Sequence, residues 1–207
     1  ACADGHLVSL EESQQGLLRE VFLGHDLRDV VVSGDGLLVS RFRSAELLDV
    51  DARGNVRAVR RGAEVRVPPV VPRELLDIIG PDLEGEEVFP PGLLGDMSPP
   101  RFASNMAWRT LSAPDGEVLV VHQRSQVDEI DLDAPDAYGG EGDFGPDPCL
   151  MGVLHSTVSR FGKDGAQALP GAMLPSAALP VDMALSPDGE TLAVVSPGNA
   201  GGVDGSG

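Results

Sequence analysis

Apolar positions along the chain recur in short runs broken by polar turns, with no sustained helical spacing. Val30-Val31-Val32 leads into Ser33-Gly34-Asp35-Gly36, and Leu37-Leu38-Val39 follows at once. This succession predicts a β-hairpin, because a tight turn between twisted strands demands positive φ, which Gly adopts without a Cβ clash and Asp tolerates. The same plan recurs over residues 27–44, 106–125 and 181–196, with Gly36, Gly116 and Gly189 as the turn glycines. In the third copy Met183-Ala184-Leu185-Ser186-Pro187-Asp188-Gly189 precedes Glu190-Thr191-Leu192-Ala193-Val194-Val195. Pro187 presets φ at the first turn position, and the β-branched run suits a buried strand.

A repeated hairpin predicts an all-β fold, and outer strands at 46–51 and 56–60 would complete the first copy as one four-stranded antiparallel sheet. Segments 7–10 and 17–23 read as outer strands of a preceding unit, and 157–161 with 166–169 serve the second copy. The predicted architecture is a β-propeller of four-stranded blades, incomplete in this chain at about three to four blades' worth. Its parts are the end of a blade (1–24), a blade (25–64), an insertion (65–104), a blade (105–175) carrying an acidic insertion (128–148), and the start of a further blade (176–207). Insertions are required because the turn glycines are spaced well beyond the roughly 40 to 50 residues of a plain blade. An additional blade within the first insertion is the alternative, which its prolines oppose. With so few blades, ring closure fails, and edge strands are expected to drive self-association.

The 207 residues include 26 Gly and 17 Pro, in keeping with frequent turns. A formal charge of -18 repels phosphate backbones and anionic lipid, so nucleic acid is excluded as an expected partner. No segment reaches the roughly 18 apolar residues needed to span a bilayer, so membrane insertion is not expected. The amino-terminal residues lack the pattern of a signal peptide. The chain begins just before an alternating strand and ends in Gly201-Gly202-Val203-Asp204-Gly205-Ser206-Gly207, which reads as a piece of a larger protein. Lys163 is the single lysine among 15 basic residues, leaving the other cations as guanidinium groups suited to planar contacts with carboxylates. Cys2 and Cys149 form no CxxC pair and no CxxCH haem-attachment motif, and their pairing stays open.

On Ser186-Pro187-Asp188-Gly189 and the strand after it, the chain resembles the YVTN family of β-propellers. Leu27-Arg28-Asp29-Val30, Leu37-Leu38-Val39-Ser40-Arg41-Phe42-Arg43-Ser44, Ala107-Trp108-Arg109 and His122-Gln123-Arg124-Ser125 are similar to bacterial propellers that also carry a c-type cytochrome segment. The resemblance implies a noncatalytic extracytoplasmic scaffold or binding module, periplasmic or secreted and bacterial. Its alternative implication is the propeller part of a periplasmic redox protein whose c-type haem would lie outside this chain. The Tyr-Val-Thr-Asn strand end of the family is replaced by Ser40-Arg41-Phe42-Arg43 and its counterparts.

On such a propeller, Arg28, Arg41, Arg43, His122 and Arg124 would converge on one face, where bidentate arginines could hold a small carboxylate or an acidic protein partner. Inter-blade salt bridges among Arg28, Asp29, Arg41 and Arg43 are the plainer structural reading. His122 and His155 are weak metal or haem candidates, since a third ligand at recognisable spacing is missing. His6 and His25 carry less information still. Asp131 and Asp133 belong to an acidic stretch whose composition could supply calcium ligands, but EF-hand spacing is absent and a solvated loop is the simpler reading. No cofactor is expected within these residues, and no Gly-x-Ser-x-Gly elbow accompanies the Ser, His and Asp residues. An enzyme is the less favoured reading of this chain alone.

Overall fold

The computed structural model describes residues 1–12, 16–67, 99–129, 153–163, 168–171, 173–174 and 177–197. The chain divides into two compact units, one of Ala1–Glu64, Ala103–Ser125 and Leu154–Gly207, the other of Val65–Phe102 and Gln126–Val153.

The first strands of the larger unit are β1 (His6–Leu10) and β2 (Leu17–Phe22), a separate antiparallel pair. Strands β3 (Leu27–Ser33), β4 (Gly36–Arg41), β5 (Leu47–Val50) and β6 (Val56–Arg60) make a four-stranded meander. The next sheet runs β11-β10-β9-β8-β7, from β7 (Val65–Arg66), β8 (Arg101–Ser112), β9 (Val118–Gln126), β10 (Leu154–Phe161) and β11 (Met173–Leu174). Finally β12 (Asp182–Leu185) and β13 (Leu192–Val195) form a second two-stranded sheet.

Turn chemistry explains the hairpins. Residues Ala113-Pro114-Asp115-Gly116 and Ser186-Pro187-Asp188-Gly189 close alike, with the glycine amide donating 2.9 Å to the first residue's carbonyl in both. Gly116 (φ 82°) and Gly189 (φ 77°) occupy the left-handed region that ends such a turn, where a side chain would be strained. The β3–β4 turn differs. Ser33 pairs with Gly36, so Gly34 and Asp35 are its two central residues, and Gly34 (φ 59°) carries the positive φ assigned above to Gly36. Gly36 is glycine for another reason, because a Cβ there would collide with the Val50 carbonyl of β5.

Alternating apolar positions pack the sheets face to face. Leu7 and Val21 of the first hairpin meet Leu27, Val39, Leu48 and Val50. The opposite face of the meander, through Leu38 and Leu47, meets Ala107, Val118, Val120 and Phe161. Leu119 and Val121 then meet Met183, Leu185, Leu192 and Val194 of the last hairpin. Strand β9, buried through its first seven residues, is therefore covered on both faces.

In the smaller unit β7 pairs antiparallel with Arg101 and Phe102. Asp128 accepts from the Arg101 amide at 2.6 Å and from its Nε at 2.8 Å. The Arg101 amide, and after it the guanidinium, holds the Asp128 carboxyl below the usual range.

An all-β fold is present, but the repeated four-stranded blade of a propeller is not. Among the described residues the sheets contain two, four, five and two strands, and one sheet curls into a half-barrel. Among the described residues, only segment 25–64 builds a four-stranded sheet. The hairpin β1–β2 stands by itself where outer strands of a blade were expected. Segment 105–175 contributes to a five-stranded sheet whose last strand is Met173–Leu174, while Ala168 and Leu169 form only isolated bridges to Gly62 and Arg160. Asp-Gly turns dictate where a chain reverses; they do not dictate how many strands a sheet then collects.

Candidate anion-binding site

Because β9 and β10 pair with Thr157 opposite His122 and His155 opposite Arg124, period-two alternation sends these four side chains to one face. Val118, Val120 and Phe161 on that face enter the apolar core. Beyond them the face turns polar while remaining covered: His122 is 1% exposed, Arg124 4%, Thr157 0% and Ser159 1%. Gln123 points to the opposite face and donates from Nε2 to the Ala178 carbonyl at 3.1 Å.

The polar groups form a directed chain. A carbonyl only accepts, so the 2.7 Å contact between His122 Nδ1 and the Gln123 carbonyl places the ring proton on Nδ1. Nε2 must then accept from Ser159 Oγ, 2.8 Å away. Ser159 Oγ in turn receives a long 3.4 Å bond from Arg124 Nη2. Burial pushes the His122 pKa down to about 4, with the Arg124 charge acting in the same direction. His155, partly exposed, is lowered by burial and then by Arg124. Both rings are thus neutral at pH 7, and the guanidinium is the fixed charge of the cluster.

That guanidinium is under-compensated. Arg124 makes no ion pair with a carboxylate among the described residues, and its buried Nε has no hydrogen-bond partner. Burial pushes its pKa down, yet an arginine stays charged.

The other arginines singled out in the sequence lie in different settings. Arg41 pairs with Glu46 at 3.2 Å. Arg43, at the place in its hairpin equivalent to Arg124, is 85% exposed at the side chain and pairs at 3.8 Å with Asp26. Arg28 lies over the edge-to-face pair of Phe42 and Trp108, 5.6 and 5.5 Å from the ring centres, and donates to the Trp108 carbonyl. His122, Arg124 and His155 are therefore brought together, while Arg28, Arg41 and Arg43 each have local partners. Sequence reasoning passed over Ser159, which links the two charged-type side chains; the alternation His155, Thr157, Ser159 was its visible sign. It also passed over Arg109, which bridges Asp29 at 3.4 Å and Asp182 at 3.2 Å.

Among the described residues no group of three or more His, Cys, Asp or Glu side chains could hold a metal ion. The haem and calcium readings are without support here: His122 uses both ring nitrogens in hydrogen bonds, and Asp131 and Asp133 lie outside the described residues. Cys2 is an exposed free thiol, and Cys149 lies outside the described residues. No described helix is long and apolar enough to cross a membrane. Comparison with protein families, curated proteins and solved structures returned no match. The resemblance to YVTN propellers and to cytochrome-associated propellers is thereby withdrawn, together with the scaffold and electron-transfer roles that it implied. A short turn motif shared by many β-hairpins was too local to carry a family.

Proposed function

We propose that the chain binds a small carboxylate at the Arg124 cluster. The observation that carries this reading is a guanidinium 4% exposed, bonded by one long contact to Ser159, on which no described carboxylate is seated. An isolated buried charge is strongly unfavourable, and a bound carboxylate would neutralise it with bonds of about 1.5–3 kcal/mol each. His155, across the strand pair from Arg124 and partly exposed, marks the side from which a ligand would enter. A small ligand fits the cover over Arg124 better than a docked protein face does.

The four histidines supply the test. In a titration with succinate followed by nuclear magnetic resonance, the ring signals of His122 and His155 are expected to shift saturably while those of His6 and His25 stay in place. Arg124→Gln should weaken the binding by at least about tenfold, the loss of one charge-assisted bond. Uniform drift of all four histidines, or identical binding by the variant, would remove the proposal.

A further inference from the structure

We infer that a second site, for a phosphate group, lies in the cleft between the β3–β4 turn and the start of β9. The cleft measures about 370 Å³ and is lined by Ser33, Gly34, Arg60, Ser112, Gly116 and Lys163, with Val32 beside them. Among the described residues of this lining there is no carboxylate, although the chain carries a formal charge of -18. Along the β9–β10 pair, the cleft is at the Val118–Phe161 end and Arg124 at the opposite end, roughly 20–25 Å away at the rise of a strand. The two sites are independent.

The donors differ in kind from those around Arg124. Arg60 is held from two sides: Nη2 pairs with Asp49 at 3.1 Å, and Nη1 donates to the Gly162 carbonyl at 2.9 Å. Its side chain is 10% exposed, and its buried Nε has no hydrogen-bond partner. Asp49 and the Gly162 carbonyl thus take one N–H from each Nη and fix the guanidinium plane, and the Nε–H is left without a protein acceptor. Lys163 adds an ammonium without an ion pair among the described residues. Its stem lies over Gly116, where a Cβ would overlap Lys163 Cε, so the glycine that closes the turn also makes room for the lysine. The Lys163 ammonium is a point charge with three rotatable donors, and with a guanidinium held in place beside it in one cleft it suits the three acceptor oxygens of a phosphate group.

Because Lys163 is the single lysine, reductive methylation with ¹³C-formaldehyde labels two sites, its side chain and the terminal amine, without removing either charge. On titration with inorganic phosphate the Lys163 signal should shift saturably and the terminal-amine signal should not. Acetate should bind at least about tenfold more weakly, and Arg60→Gln should weaken phosphate by a similar factor. Lys163→Gln, tested by calorimetry, should abolish binding with an unchanged unfolding midpoint, which separates the site from any folding defect of Arg60→Gln. Phosphoserine binding more tightly than inorganic phosphate would assign the site to phosphomonoesters, and equal binding to free phosphate. Parallel drift of both amine signals, or acetate binding as well as phosphate, would overturn the inference. Neither result bears on Arg124, whose readout is the histidine pair.

Discussion

Gly34 and Gly36 stand two positions apart and answer to different constraints. Gly34 has φ 59° and open space around it, whereas Gly36 lies against the Val50 carbonyl. Asparagine tolerates the left-handed region, so Gly34→Asn should change stability by less than about 0.5 kcal/mol. Gly36→Ala should cost about 1–3 kcal/mol, because the β4–β5 backbones must separate. Urea unfolding of the two variants checks the order, and a reversed order would return the turn to Asp35-Gly36. That register was not legible from sequence, because Gly-Asp-Gly offers positive φ at either glycine and only the partner strand decides. A second residue-scale expectation concerns His122. Its folded pKa of about 4 lies below the ordinary value of 6.5, so the unfolded chain takes up the proton first as pH falls. The stabilisation is complete above pH 6.5 and is lost by about pH 4, amounting to roughly 3 kcal/mol. His155 is lowered too and acts in the same sense. The exposed turn carboxylates fall in a separate window. Asp51 is lowered chiefly by the Asn55 amide and Asp188 by the Ser186 hydroxyl, so their contribution is present above 3.8 and fades below it. Unfolding midpoints measured between pH 7 and 4 should therefore fall in the wild type and flatten in His122→Gln.

At the scale of elements, the hairpins were legible because their turns are written in residues with a mechanism: Pro187 for φ, Asp188 for the Glu190 amide, Gly189 for the reversal. The assembly of hairpins into sheets was not, since strand count depends on pairings distant in sequence, such as Gly62 with Ala168. The polar face of β9 was half legible. His122 and Arg124 were visible as a pair, but their burial follows from sheets packed on both sides of the strand, which alternation by itself does not disclose. Packing also sets local stability. Hairpins β1–β2 and β12–β13 rest on a neighbour by one face and leave Leu10, Leu18 and Val195 exposed, whereas β9 is enclosed. A two-stranded sheet has little stability of its own. Amide hydrogen exchange should accordingly be fastest in the two end hairpins and slowest in β4 and β9, by at least about 2 kcal/mol of opening free energy. Uniform protection would show that the sheets unfold as one unit.

Across the whole molecule, charge gives the arginines their meaning. On a chain of formal charge -18, most of the described arginines have a carboxylate close by, as Arg57 has Asp35 and Arg160 has Glu117. Arg124 lies in the same sea of acid without one among the described residues, in the most enclosed strand. Groups kept for binding commonly reduce the stability of the free protein. The most direct measurement is therefore chemical denaturation at pH 7 of the wild type and Arg124→Met, each with and without saturating succinate. Carboxylate binding at Arg124 predicts that the variant is the more stable by about 1–4 kcal/mol without succinate, and that only the wild type gains stability when succinate is added. A variant less stable than the wild type, with succinate acting on both alike, would show that Arg124 holds the fold together and binds nothing.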